Sequence, residues 1–132
     1  MLLGFRRRFA PFVEDGSKTH TIRGLSRSPK IGETLHCYVD PRQKTMRLLG
    51  RWPCVKVDEI FIDSRRLSAD ATKIDIRING IPLSWDEKNS LAWSDGFRDT
   101  AALGRDFALV RMMQYWKGRL PFVGNLIYWS RP

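Results

Sequence analysis

The chain has 132 residues, two cysteines, and 23 Lys and Arg against 14 Asp and Glu, which gives a formal charge of +9 at pH 7. This length suits one domain that buries about two-thirds of the surface its unfolded chain exposes, so no disulfide or structural metal is required. Residues 1–5, which precede three arginines, are too few for a secretory signal, and no apolar run has membrane-spanning length. We therefore expect a cytoplasmic protein without membrane contact.

The first predicted element is a short helix that ends at a glycine. Phe9, Phe12 and Val13 have the i, i+3, i+4 spacing of one helix face. Gly16 follows at the position where a helix commonly ends. A strand rich in β-branched side chains is then predicted over residues 19–23.

The segment at residues 16–23 combines an ammonium, an imidazole, three hydroxyls and a guanidinium. Alternation places Thr21 and Arg23 on one face of the strand and His20 on the other, so Lys18 joins Thr21 only from the preceding turn. A bend there also presents backbone N–H groups to a phosphate or an oxyanion. The segment is a candidate reaction or anion site, and a polar turn that simply faces water fits the same spacing.

Positive charge is concentrated in the N-terminal part of the sequence. Residues 1–56 contain 12 Lys and Arg against 4 Asp and Glu, whereas residues 57–132 contain 11 against 10. Such a distribution favours nucleic acid as a partner, and a basic surface that serves only solubility is the alternative. The candidate nucleic-acid-binding residues are Arg6, Arg7, Arg8, Arg23, Arg27, Lys30 and Arg51.

The middle of the chain is predicted to be rich in strands. Residues 33–39 alternate between apolar and polar side chains, and residues 45–49 and 54–63 are predicted as two further strands. Cys37 and Cys54 lie in separate strands without the spacing of metal ligands. We therefore expect buried or free thiols and no metal site.

In the predicted strand at residues 54–63, the apolar residues do not all fall on one face. Val55 and Val57 share one face, whereas Ile60 and Ile62 share the other. A β-bulge at Glu59 or the residue before it would reconcile the two pairs. Without this bulge Glu59 points inward and becomes a secondary candidate for the site; a structural, exposed glutamate is the alternative.

The C-terminal half is predicted to alternate between strands and helices. Ser84 and Glu87 have the spacing of a capping box, which favours a helix start. The predicted elements are a strand over residues 74–78, a hairpin turn at residues 79–80, a helix from residue 84 to about residues 95–96, a helix over residues 99–117 and a strand over residues 122–129.

Five short motifs follow one another along the chain. They are Gly-x-Lys-x-x-Thr-Ile-Arg at 16–23, Lys-x-Gly-Glu at 30–33, Cys-x-x-x-Asp-x-Ile at 54–60, Leu-Ala-x-x-Asp-Gly-Phe at 91–97 and Gly-x-x-Ile-Tyr-Trp at 124–129. This ordered set resembles the ASCH domain of the PUA-like superfamily. The resemblance implies one such domain over residues 1–132, an α+β fold in which about three helices pack outside a small mixed β-barrel of about six strands. It also implies RNA or a modified nucleoside as partner.

The resemblance further implies a reaction. One branch of the family hydrolyses the N4-acyl amide of N4-acetylcytidine with a Lys, a Thr three residues later and a downstream Glu. Lys18 and Thr21 match the first two positions, and Asp95 stands where the branch has Glu, with a side chain one methylene shorter. The implied catalytic set of this amidohydrolase is Lys18, Thr21 and Asp95, and we expect no cofactor.

Two other functions fit the same residues. In a metal-independent ribonuclease, Lys18 and Arg23 would stabilise the transition-state charge while His20 exchanges the proton of a 2′-hydroxyl; the alternative for His20 is a structural hydrogen bond in the strand. In a single-stranded RNA-binding module, Lys18, Arg23 and aromatic side chains would hold phosphate and stack bases without any proton transfer. The sequence leaves the oligomeric state open.

Overall fold

The fold combines helices with one mixed β-sheet. The computed structural model describes residues 1–64, 74–98 and 108–131, which contain seven strands and three helices. In chain order these are β1 (Leu2–Phe5), α1 (Ala10–Glu14), β2 (His20–Gly24), β3 (Thr34–Val39), β4 (Arg47–Ser64), β5 (Ile74–Ile78), β6 (Ile81–Pro82), α2 (Trp85–Ser94), α3 (Ala108–Trp116) and β7 (Phe122–Trp129). The molecule is therefore an α+β protein.

The long strand β4 organises the sheet. Its first part pairs antiparallel with β3, and its second part pairs with β5 on one side and β7 on the other. At the two ends of the pairing, β1 runs parallel to β3 and β2 runs antiparallel to β7. β1 and β2 do not pair with each other, so the sheet is not closed across the described residues.

A side chain of β2 crosses the gap between β1 and β2. Arg23 Nη2 donates a hydrogen bond to the carbonyl oxygen of Gly4 at 2.6 Å, and the Arg23 guanidinium lies 5.1 Å from the ring centre of Phe5. This contact satisfies one carbonyl of an otherwise open edge without a backbone ladder. The space beside the gap remains open as a cleft.

The prediction of two strands over residues 45–49 and 54–63 is corrected by the structure. β4 runs without a break from Arg47 to Ser64. Gly50 allows this continuity because the ring of Trp52 occupies the position where a β-carbon of residue 50 would lie. Pro53 is exposed and sits in the same strand, beside the register shift between Cys54 and Lys56, which is a position where a strand tolerates proline.

The β-bulge of β4 lies earlier than expected. The register with β7 shifts between Cys54 and Lys56, not next to Glu59. Val55 is therefore exposed, and the inward face of the strand consists of Cys54 and then every second residue from position 58 to position 62. Glu59 is exposed on the opposite face, which removes it from the candidate site residues.

Several strands and their turns confirm the sequence predictions. β3, β5 and β7 occupy the expected residues, within one position at each end. Asn79 and Gly80 both have positive φ angles, of 51° and 80°, and connect β5 to β6. These angles are those of a tight hairpin turn, for which an Asn-Gly pair is favoured.

Helices α1 and α2 begin and end near the residues that the sequence marked. α1 contains Pro11 in its first turn, and Gly16 follows it with a φ of +84°. Ser84 and Glu87 form the expected capping box of α2. Of the helix expected over residues 99–117, residues 99–107 lie outside the described part, and the described part is helical from Ala108 to Trp116.

The core lies between the inner face of the sheet and the apolar faces of the helices. Trp116 and Trp129 are buried in it, while Trp52 and Trp93 pack against it in part. Trp52 stacks on Trp129 at 6.2 Å with an interplanar angle of 12°, so its ring contacts the protein itself. In the described residues, no helix is both long and apolar enough to cross a membrane.

Candidate active site

A buried ion pair joins the two halves of the chain. Lys18 Nζ lies 2.6 Å from Asp95 Oδ1 and donates a second hydrogen bond to the backbone carbonyl of Asp95 at 2.8 Å. The residues are 3% and 7% exposed, respectively. The structure thus brings together two members of the implied catalytic set that are far apart in sequence.

Local backbone structure positions both partners. Lys18 follows the turn after α1, where its N–H donates to the carbonyl of Phe12 at 2.9 Å. Asp95 is the C-cap of α2, and Gly96 then takes a φ of +113° that an L side chain rarely adopts. The ring of Phe9 also occupies the place of a Gly96 β-carbon. The Lys18 ammonium therefore meets the negative end of the α2 dipole as well as a carboxylate.

Arg98 links the segment that carries Lys18 to the end of α2 through hydrogen bonds. Its Nε donates to the carbonyl of Trp93 at the end of α2, at 2.9 Å. Its Nη1 and Nη2 donate to the hydroxyl and the carbonyl of Ser17, at 2.9 and 3.1 Å. Arg98 thereby fixes the residue before Lys18 against the helix that carries Asp95, which makes it a positioning residue that sequence reasoning did not identify.

Burial and charge act in opposite directions on the ion pair. Burial lowers the pKa of the Lys18 ammonium, and the attraction of Asp95 offsets this only in part. For Asp95, burial raises the pKa, but Lys18 and His20 outweigh it, so the pKa of the carboxyl lies below its usual value. Asp95 is thus an ionised group, and Lys18 gives up its proton more readily than a lysine in water.

His20 lies behind the ion pair. Its Nε2 is 3.3 Å from Asp95 Oδ1 but has no well-aligned hydrogen-bond partner in the described part of the chain. The His20 ring packs at a tilt against Tyr128, with 5.8 Å between ring centres. His20 does not line the cleft that holds Lys18 and Thr21, so it has no direct path to a ligand there.

Thr21 and Arg23 form the wall of the cleft on the β2 side. Thr21 is 5% exposed, and its Oγ1 accepts a hydrogen bond from Arg23 Nε at 3.2 Å. The same guanidinium donates to Gly4 across the open gap. Arg23 therefore holds a positive charge against the Thr21 hydroxyl, in an orientation fixed by β1.

The cleft has a volume of about 230 Å³ and lies at the gap between β1 and β2. Pockets for drug-sized ligands measure roughly 300–1,000 Å³, so this cleft suits a single base or a comparably small group. Lys18, Thr21 and Asp95 all line it. Its aromatic lining residues are Phe5, Phe9, Phe97, Tyr115 and Trp116.

Three of these rings form a closed aromatic cluster. Phe9, Phe97 and Tyr115 contact one another edge to face, with ring centres 5.6 to 5.9 Å apart. Lys18 Nζ lies 5.5 Å from the centre of the Phe9 ring. The ion pair therefore borders an aromatic, apolar part of the cleft, against which a planar heterocycle can pack.

The wall and the mouth of the cleft include residues that sequence reasoning missed. Tyr115 and Trp116 come from α3, and Arg119 follows that helix. Trp116 follows the apolar periodicity of α3, and this periodicity does not tell a core position from a cleft wall. No sequence signal placed Arg119 near Lys18, because their proximity depends on tertiary packing.

The proposed nucleic-acid-binding residues have different surroundings. Two of them, Arg6 and Arg23, line the cleft. The others lie elsewhere: Arg7 pairs with Asp40, Arg8 lies over the rings of Phe9 and Phe97, Arg27 donates to the carbonyl of Leu2, Arg51 donates to His36 Nδ1, and Lys30 is exposed.

The cysteines and the acidic residues offer no metal site in the described residues. Cys37 and Cys54 are free, buried thiols, as the sequence predicted. Residues 1–64, 74–98 and 108–131 contain no group of three or more His, Cys, Asp and Glu side chains able to hold a metal ion.

Comparisons with known proteins do not assign this cleft. No protein-family model, no curated protein and no solved structure matches the chain.

Proposed function

We propose that this chain is an ASCH domain of the PUA-like superfamily that hydrolyses the N4-acyl amide of cytidine. In this proposal the seven-stranded sheet is an incomplete barrel whose open seam lies between β1 and β2. β4 pairs with three different strands and its register shifts against both β3 and β7, which supports a curved sheet. The Arg23 contact to Gly4 across the seam supports it further.

One observation carries the proposal: a buried Lys18–Asp95 pair borders the same small aromatic cleft as Thr21. An ion pair needed only for folding does not have to border a cleft that also contains a threonine hydroxyl. Buried titratable groups with shifted pKa values, placed in a cleft, are typical of functional sites. The aromatic wall suits a pyrimidine, and the cleft volume suits one base with its acyl group.

The first step is acyl transfer to the enzyme. Thr21 Oγ1 attacks the acyl carbon, which forms a C–O bond, and collapse of the tetrahedral intermediate breaks the C–N4 bond. Lys18, in its neutral form, accepts the hydroxyl proton and delivers it to N4, which leaves as the amino group of cytidine. Burial makes this neutral form more accessible by lowering the pKa of Lys18.

The second step returns the enzyme to its starting state. Water attacks the acyl-threonine ester, releases a carboxylic acid and restores the Thr21 hydroxyl. Asp95 orients Lys18 in both steps through the 2.6 Å contact. Arg23, whose Nε already donates to Thr21 Oγ1, stabilises negative charge that develops on this oxygen.

The position of His20 disfavours the ribonuclease alternative. A proton-transfer group must reach the 2′-hydroxyl directly or through one water. His20 is buried behind Asp95 and does not line the cleft. A non-catalytic RNA-binding module is the other alternative, and the experiment below separates it from the hydrolase.

The test compares Thr21→Val with Thr19→Val in the deacetylation of N4-acetylcytidine, followed by chromatography of released cytidine. Thr19 is the matched control, because it precedes β2 and does not line the cleft. Loss of the nucleophile should reduce kcat by about 10³-fold or more while ligand binding persists, and Thr21→Ser should restore part of the rate. The control should retain the rate of the unmodified protein.

Each contrary result points to a different function. Unchanged turnover in Thr21→Val would exclude Thr21 as the nucleophile. An absence of turnover in the unmodified protein, together with binding of cytidine-containing RNA, would establish the binding module instead. Cleavage of a labelled RNA that is lost in His20→Gln would favour the ribonuclease.

A further inference from the structure

The mouth of the cleft holds more positive charge than its own acidic residue can neutralise. Arg6, Lys18, Arg23 and Arg119 line the cleft, whereas Asp95 is the one acidic residue among its described lining residues. Lys18 and Asp95 neutralise each other at 2.6 Å. The charges of the three guanidinium groups thus have no acidic partner among the described lining residues of the cleft.

Arg6 and Arg119 contact the same aromatic ring. The guanidinium carbon of each lies 5.3 Å from the centre of the Tyr115 ring, and Arg119 also lies 5.7 Å from the Trp116 ring. The two guanidinium groups are therefore no more than about 11 Å apart. Within the described residues, neither of them forms an ion pair or a hydrogen bond through its side chain.

The residues that line the cleft lie at different depths. Lys18, Thr21 and Asp95 are buried at its base, and Tyr115 is half-buried. Arg6 and Arg119 are exposed at its mouth. A nucleoside whose acyl group reaches Thr21 places its base against the aromatic wall and its sugar toward the mouth, so a group on the sugar meets the two arginines.

We propose that Arg6 and Arg119 form a phosphate subsite and that the substrate is a phosphorylated pyrimidine nucleoside, not a free nucleoside. The pyrimidine part of this ligand rests on the proposed function. A phosphate supplies the negative charge that the cleft lacks, and guanidinium groups match phosphate oxygens with two parallel N–H donors. The phosphate belongs either to a free nucleotide or to an RNA chain.

The test measures binding before catalysis. Titration calorimetry compares cytidine with cytidine 5′-monophosphate in the unmodified protein and in Arg6→Gln/Arg119→Gln. The matched control is Lys44→Gln/Lys117→Gln, which removes the same charge from exposed residues that do not line the cleft. A short cytidine-containing oligoribonucleotide without terminal phosphate serves as the third ligand.

We expect the nucleotide to bind at least about ten-fold more tightly than cytidine, since hydrogen bonds to charged groups carry such differences. The Arg6/Arg119 variant should lose this preference, and the control should keep it within about two-fold. If the Arg6/Arg119 variant also binds the oligoribonucleotide more weakly, and the unmodified protein binds the oligoribonucleotide more tightly than the mononucleotide, the phosphate belongs to RNA. If the unmodified protein binds the oligoribonucleotide more weakly than the mononucleotide, the phosphate belongs to a free nucleotide.

Equal affinity for cytidine and its monophosphate would overturn the inference, as would an equal loss in the control variant. The proposed function fails separately. If nucleotide preference is present but no acylated cytidine is hydrolysed, the hydrolase is wrong and the phosphate subsite stands. If N4-acetylcytidine and its 5′-monophosphate are hydrolysed with equal kcat/KM, the hydrolase stands and the phosphate subsite is wrong.

Discussion

Replacement of Asp95 by Asn tests the buried ion pair at the base of the cleft. The variant removes the carboxylate that lies 2.6 Å from Lys18 Nζ and leaves an ammonium in a site that is only 3% exposed. Breaking a buried pair in this way costs about 3–5 kcal/mol. Lys18 keeps its hydrogen bond to the backbone carbonyl of residue 95, so we expect the lower end, about 3 kcal/mol. For 132 residues this corresponds to a fall in Tm of about 11 °C.

The pH dependence of this loss has a defined sign. The folded-state pKa of Asp95 is lowered, so its contribution to stability is present above the unfolded pKa of about 4 and is lost as pH falls through the folded pKa. In the variant, the carboxylate no longer offsets the effect of burial, so the folded-state pKa of Lys18 is lower than in the unmodified protein. It therefore lies further below the pKa of Lys18 in the unfolded chain. Stability of the variant therefore rises as pH increases toward about 10.4. The difference between the two proteins should be largest near neutral pH and smaller at both extremes.

The assay is urea unfolding followed by tryptophan fluorescence between pH 3 and pH 10. Asp86→Asn is the control, because it removes an exposed carboxylate from the first turn of α2 and should cost no more than about 1 kcal/mol. The double variant Lys18→Met/Asp95→Asn removes the unpaired ammonium and should regain more than half of the loss. An Asp95→Asn variant within about 1 kcal/mol of the unmodified protein at pH 7 would refute this reasoning, as would a double variant no more stable than Asp95→Asn.

Two further predictions concern parts of the molecule away from the cleft. Burial raises the pKa of the Cys37 thiol to about 12, and Cys54 is also buried with a raised pKa. A thiol reagent at pH 8 should therefore modify neither cysteine in the folded protein and both after unfolding in guanidinium. Rapid modification of the native protein would contradict this prediction. Ser84→Ala removes the side-chain acceptor of the α2 capping box and should lower the free energy of unfolding by about 1 kcal/mol, with recovery in Ser84→Thr. Equal stability of the unmodified protein and the Ser84→Ala variant in urea would mean that the cap contributes nothing.

Local signals in the sequence predicted most of the elements because their causes are local. Gly16 ends the segment after α1 through its positive φ, and the Asn79-Gly80 pair forms its turn through two positive φ angles. The Ser84 cap needs only the N–H of a residue three positions away. Such interactions are complete within a few residues, so they can be recognised without knowledge of the tertiary structure.

The details of β4 depended on partners that are distant in the chain. Whether Val55 faces inward is set by the register with β7, which shifts between Cys54 and Lys56. A shift of one residue moves every later side chain to the other face, so the error in bulge position changed the expected orientation of Val55, which is exposed. The apolar pattern showed that a bulge was needed but did not fix its position.

The sequence named three residues that line the cleft but did not give the full geometry of the cleft. The resemblance of the motifs singled out Lys18, Thr21 and Asp95, and the structure places all three on one cleft. The contributions of Tyr115 and Arg119 were not expected, because α3 reaches β1 and β2 only through packing of the whole fold. Charge and aromatic character in a sequence do not reveal which side chains share a cavity.

The open edge between β1 and β2 connects the fold to the chemistry of the cleft. If these strands paired through their backbones, the ladder would occupy the space that Arg23 now spans, and Thr21 would face a closed wall. Arg23 instead satisfies the Gly4 carbonyl with one end of its guanidinium and the Thr21 hydroxyl with the other. The same side chain thus compensates for the missing ladder, keeps the cleft open and places positive charge beside the proposed nucleophile. An unpaired sheet edge is usually a liability, and in the proposed function it is the place where the substrate reaches Lys18 and Thr21.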